Sequence, residues 1–183
     1  ANVVHDIIRY LKRDMTHKDG GWYSAEDADS EGQEGKFYCW TKKQLEEILT
    51  EKEAKLAIDY FGITEKGNFE DHSHPDPLKN LNVLSIVDSK ITDEEKTMLI
   101  TIKKKMDTAR NKRIRPHLDD KILSSWNGLM LGAIARASAV LNEDEYLAIA
   151  EKNYTAILKE LWDPKTKTMY HRWRDGERDS VQL

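Results

Sequence analysis

Between Gly21 and Thr41 the chain reads GWYSAEDADSEGQEGKFYCWT, which gathers Glu26, Asp27, Asp29 and Glu31 close to Trp22, Tyr23 and Trp40. Asp27, Asp29 and Glu31 alternate and Gly32 follows, as at the start of a calcium-binding loop. That chemistry also needs a bidentate glutamate at the twelfth position, and counting from Asp27 this is Tyr38. It needs an entering helix too, whereas GWYS has the composition of a strand. Three uses are left for the carboxylates: the rim of a pocket, a solvated acidic turn in which Gly32 and Gly35 serve the backbone, or a divalent-metal site without the calcium-loop pattern.

A second group lies in RPHLDDKILSSWN, which supplies His117, Asp119, Asp120, Trp126 and Asn127. Carboxylates just before a helix meet unpaired N–H groups and the positive end of its dipole. One cap accounts for one of the two aspartates. His117 follows a proline at a loop–helix junction, a position from which an imidazole can exchange protons with a bound group. A third segment, EDHSHPDP, offers His72 and His74 with Asp71 and Asp76 but no fourth ligand, so it reads as a polar loop without a metal. Cys39 sits in FYCW with no neighbouring base, which makes it a buried thiol.

These segments must be positioned by helices. Val3, Val4, Ile7, Ile8, Leu11 and Met15 form one apolar face that ends near His17. Thr41 with Gln44 and Thr92 with Glu95 make capping boxes for helices that follow, and another helix spans Lys52 to Phe61. Asp119 or Asp120 is expected to cap a long helix from Ile122 to Leu141, and Asn142 with Glu145 to begin the next, through Trp162. GWYS, KFYCW and MYHRW read as strands, the last turning at Asp175-Gly176. If GWYS and KFYCW are strands, their aromatic rings alternate between faces, leaving some to line a pocket.

The expected fold is mainly all-α, in antiparallel helical hairpins, with β-hairpin excursions near residues 21–41 and 168–180. The helix over Ile122–Leu141 is rich in glycine, alanine and serine, so it should be packed on several sides.

Composition excludes several functions. The chain has 183 residues, a net charge of −4, 39% hydrophobic and 34% charged residues. Mixed charge gives no footprint for nucleic acid. The most apolar stretch carries Asn127 and Arg136, so no membrane span is expected. A single cysteine and an opening helix unlike a signal peptide point to the cytoplasm. Walker, Rossmann and nucleophile-elbow patterns are absent.

GGWYSAEDADSEGQEGKFYCWT, GNFE, NVL and RPHLDDKILSSWNGLMLGAIARAS together resemble the YyaL-like, or spermatogenesis-associated protein 20, family. The resemblance runs from about Asp19 to Trp173. It implies a helical toroid of the six-hairpin glycosidase type, (α/α)6, which that family pairs with a thioredoxin-like domain. No C-x-x-C occurs, so the whole of 1–183 is expected to be a single partial toroid domain, carrying about half the helices of a closed ring.

In a toroid the starts of inner helices surround a funnel, where carboxylates beside aromatic rings suit sugar hydroxyls and an oxocarbenium-like transition state. On that reading Asp27, Asp29, His117, Asp119 and Asp120 are the candidate acid/base residues. Trp22, Tyr23, Glu26, Trp40, Trp126 and Asn127 would contact a sugar-like small molecule. No cofactor is expected. Fold analogy does not establish catalysis, and the second reading is a non-catalytic module that packs on the rest of its parent chain, including a thioredoxin-like domain.

Overall fold

The apolar face at the start of the chain does form a helix, α1, over Asn2–Asp14 in the computed structural model, which describes residues 2–179. Five further helices follow: α2 (Lys42–Ile48), α3 (Glu51–Phe61), α4 (Asp93–Arg110), α5 (Ser124–Leu141) and α6 (Asp144–Glu160). Between them lie the short strands β1 (Ala25–Glu26), β2 (Asp29–Ser30), β3 (Gln33–Glu34), β4 (Leu118–Asp119) and β5 (Ile122–Leu123), and after α6 come β6 (Trp162–Asp163), β7 (Thr168–Met169), β8 (Arg172–Arg174) and β9 (Glu177–Arg178). The chain is mainly helical, with small strand hairpins. Ser180, at the end of the expected second excursion, lies outside the described residues.

The fold has two compact units. One comprises the described parts of Ala1–Glu26 and Leu118–Leu183, the other Asp27–His117. In the second unit, α2, α3 and α4 begin at Thr41, Thr50 and Thr92, each closing a capping box with Gln44, Glu53 or Glu95. Gly62 ends α3 in the left-handed conformation that lacks a Cβ penalty. Leu99, Ile102 and Met106, one face of α4, pack with Leu45, Ala57, Phe61 and Trp40.

The long loop after α3 is tied down by Asn82, which is fully buried. Its amide donates to the carbonyls of Trp40, Thr64 and Asn80 at 3.1, 3.2 and 3.2 Å and accepts from the Thr64 N–H at 2.9 Å. At Gly67 a Cβ would lie 2.4 Å from the Leu81 carbonyl oxygen, so this crossing of GNFE under NVL requires glycine.

In the first unit α5 and α6 form a helical hairpin joined at Asn142, which is left-handed with φ 56°. Tyr146, Ala150, Asn153 and Ile157 are the buried stripe of α6. Ile8 of α1, Trp22 and Ile134 share a core with Tyr146 and Ala150. A second cluster joins Ile122, Ile157, Leu161 and Trp173. β8 pairs antiparallel with β5, Ile122 facing Trp173, and with β9 through the Asp175-Gly176 turn, both residues at positive φ.

Four local expectations are corrected. GWYS and KFYCW are not paired strands. The hairpin lies inside the acidic loop, β2 against β3, because Glu31 and Gly32 both take positive φ and so match the twist of a two-residue turn. Residues 35–38 form a turn, and the carbonyls of Lys36, Phe37 and Cys39 accept from the Arg113 guanidinium at 3.2, 2.8 and 2.7 Å.

The aspartates do not cap α5. Strand β5 intervenes, and Leu123 occupies the cap position without a side-chain bond. Asn142 closes α5 and does not open α6, whose cap is Glu143. Nor is α5 covered on several sides: beyond the helix's own neighbouring backbone, no described atom lies within 4 Å of where a Cβ would sit on Gly128 or Gly132.

Candidate functional site

Strands β1 and β4 bring the start of the acidic loop against the aspartate pair. Ala25 faces Asp119 and Glu26 faces Leu118. The Ser24 N–H donates to the Asp119 carbonyl at 3.0 Å and the Ser24 hydroxyl to the Lys121 carbonyl at 2.7 Å. Asp119 and Asp120 then project from a fixed backbone, each with a base. The Asp119 carboxylate lies 3.1 Å from Lys121 Nζ, and Asp120 lies 2.7 Å from Nε of Arg174 on β8. Glu26 accepts a hydrogen bond from the Tyr10 hydroxyl at 2.8 Å.

Tyr23 completes this group. Burial, then the negative charge of Asp120 and Asp175, pushes its phenol above the usual range. It therefore stays protonated, a hydrogen-bond donor near a carboxylate. His17 meets the Tyr23 ring edge-on at 6.0 Å and the Trp173 ring at 5.2 Å. The indole N–H of Trp173 is buried with no hydrogen-bond partner among the described residues. The first unit thus combines two carboxylates, a neutral phenol, an imidazole and an indole.

Sequence reasoning missed His17, Trp173 and Arg174. Only the β5–β8 pairing brings the last two beside Ile122 and Asp120. The one available signal was the strand pattern MYHRW close to the end of the chain.

The other expected residues fall elsewhere. In the second unit Asp27 and Asp29 are exposed. The Asp27 N–H donates to the His117 carbonyl at 2.8 Å, and the Asp27 carboxylate accepts from the Asp29 N–H at 3.1 Å. Glu31 pairs with Lys36 at 2.7 Å, and the His117 side chain is exposed.

Trp22 and Trp40, each 4% exposed, are core side chains. Trp40 stacks under the Arg113 guanidinium at 3.9 Å. Trp126 stands on α5, exposed.

Asn127 is buried and clamps backbone. It accepts from the Trp22 N–H at 2.8 Å, donates to the Trp22 and Leu123 carbonyls at 3.0 Å each, and accepts from Asn153 at 2.9 Å. Asp71 is likewise a turn anchor. Its carboxylate takes the Ser73 N–H and hydroxyl at 2.8 and 2.6 Å, and these bonds hold it below the usual carboxylate range. Among the described residues no three His, Cys, Asp or Glu side chains converge on a metal position, and no helix is long and apolar enough to cross a membrane.

Helical hairpins with strand excursions that carry acidic and aromatic side chains define the class of protein. No protein-family model matches the chain. Curated proteins do. Human spermatogenesis-associated protein 20 is 33% identical over 188 positions, which cover 89% of this chain and 24% of the human protein. The mouse protein of the same name is 31% identical with the same coverage. An uncharacterized Caenorhabditis elegans protein is 34% identical over 174 positions, covering 82% of this chain and 24% of its own length.

These matches support a place for the chain in the spermatogenesis-associated protein 20 family. It spans about a quarter of the length of the curated relatives it matches.

Proposed function

We propose that the chain is one portion of a longer protein of six-hairpin, (α/α)6-toroid type, and that its acidic-aromatic segment contacts a carbohydrate-like ligand. The observation that carries this reading is the pairing of β1 with β4, which sets Tyr23 and Glu26 beside Asp119 and Asp120 in one unit. Sugars are recognised by carboxylates and neutral hydroxyl donors beside an aromatic face. In this role Asp120, oriented by Arg174, accepts from sugar hydroxyls while the protonated Tyr23 donates. Asp119 and Glu26 would extend the polar rim within the same unit.

Saturation-transfer NMR against a panel of mono- and disaccharides tests the proposal, on this chain and on the longer protein. Binding that is lost in Asp120→Asn and Tyr23→Phe supports it. Absence of binding to both proteins across the panel refutes it.

A second reading, a non-catalytic module in contact with the rest of a parent chain that includes a thioredoxin-like domain, is favoured by a different observation. The carboxylates of Asp119, Asp120 and Glu26 are already engaged with Lys121, Arg174 and Tyr10, and a broad apolar face stands uncovered on α5.

A further inference from the structure

Helix α5 has the composition of a helix covered all round, yet its cover is one-sided. Arg136 is the sole charged residue in SSWNGLMLGAIARASAVL, and such a sequence ordinarily lies in an interior. Here Leu129 and Val140 are each 76% exposed, and beside them Val4 and Ile7 of α1 are 37% and 51% exposed. Together they wall a groove of about 790 Å³ floored by Gly132 and Ala133. The open space above Gly128 and Gly132, one helical turn apart, lets another backbone approach closely. Among the described residues Arg136 is the only charged side chain lining the groove, and it makes no ion pair or hydrogen bond with them.

We propose that this groove seats an α-helix supplied by the remainder of the longer polypeptide, with small or apolar residues facing Gly132 and one carboxylate facing Arg136. The relatives carry about three quarters of their length outside the matched stretch, so chain for this purpose exists in them. Charge selects the occupant. A second copy laid symmetrically on the groove brings no carboxylate, because none lines it, and would bury two unpaired guanidiniums. A sugar does not suit a wall of Val, Ile, Leu, Gly and Ala. The inference rests on the chain being one portion of a longer protein, and it is independent of whether that protein binds a sugar.

The test is thiol labelling at Ala133→Cys, with Leu129→Cys as an independent second site. Native Cys39 is buried, and the rate is followed on the peptide that carries the introduced thiol, so cysteines elsewhere in the parent do not contribute. In the 183-residue chain labelling should be fast at every protein concentration. In the full-length parent it should be slower by roughly a hundredfold or more, because the thiol is reached only through local opening. Arg136→Glu in the parent should restore much of the rate, while Arg136→Lys should restore little.

Equal rates in chain and parent overturn the proposal. Slow labelling of the short chain that deepens with concentration overturns it in favour of a second copy. Protection in the parent that Arg136→Glu leaves intact overturns the carboxylate partner. A parent that shows protection but binds no sugar would sink the carbohydrate reading alone.

Discussion

Single buried asparagines do much of the positioning. Asn127 closes four bonds among Trp22, Leu123 and Asn153, and Asn82 does the same for Trp40, Thr64 and Asn80. Removing such a hub leaves the buried N–H and C=O groups of Trp22 unpaired. Asn127→Ala should therefore destabilise the chain by about 3 kcal/mol, read as a lower urea midpoint.

Glu53 is a second such residue. Its hydrogen bonds from Lys105 at 2.7 Å, then from Thr50, hold its pKa down to about 2 against an ordinary 4.5. A depressed folded-state pKa contributes stability that is complete above pH 4.5 and is lost as pH falls toward 2. In Lys105→Met the fall in thermal midpoint across that window should be shallower than in the parent sequence. An unchanged slope would show that the lysine is not the cause.

At the scale of elements, helix starts are set locally. The Thr92 hydroxyl accepts from the Glu95 N–H and the Glu95 carboxylate from the Thr92 N–H, so two otherwise orphaned donors at the start of α4 are satisfied. Thr92→Ala should cost about 1 kcal/mol by urea denaturation, and Thr92→Asp should recover most of it. The start of α5 obeys a different rule. It follows strand β5 directly, held by the pairing of Ile122 with Trp173 some fifty residues onward, and no side chain caps it. A local search for caps assigned that role to Asp119 and Asp120, but β4 and β5 leave them free to pair with Lys121 and Arg174.

For the whole molecule, the exposed apolar face of α1 and α5 should add little to the stability of the chain itself. Leu129 and Val140 are exposed in the 183-residue chain, so Leu129→Gln and Val140→Gln should each change its unfolding free energy by less than about 0.5 kcal/mol. Equilibrium urea unfolding checks this. A loss of about 2–5 kcal/mol, the range for core leucine truncation, would mean that the face is buried after all.

The sequence by itself determined what depends on neighbours in the chain. The apolar face of α1, the capping boxes at Thr41 and Thr92, the end of α3 at Gly62 and the Asp175-Gly176 turn are all set by residues a few positions apart, and all were legible. The motifs that carried the family resemblance were legible as well, but much of what they encode is architecture: Asn127 of SSWN and Asn82 of NVL are backbone clamps, and Gly67 of GNFE allows a close crossing.

Tertiary structure decided the rest. Whether Trp22 and Trp40 face a ligand or the core depends on distant partners, and both went to the core. The placement of Arg174 and Trp173 near Asp120 and Tyr23 depends on β5 meeting β8, a pairing of distant segments that no local spacing specifies. A strand two residues long has too little period to announce its partner or register, so that information resides only in the folded chain.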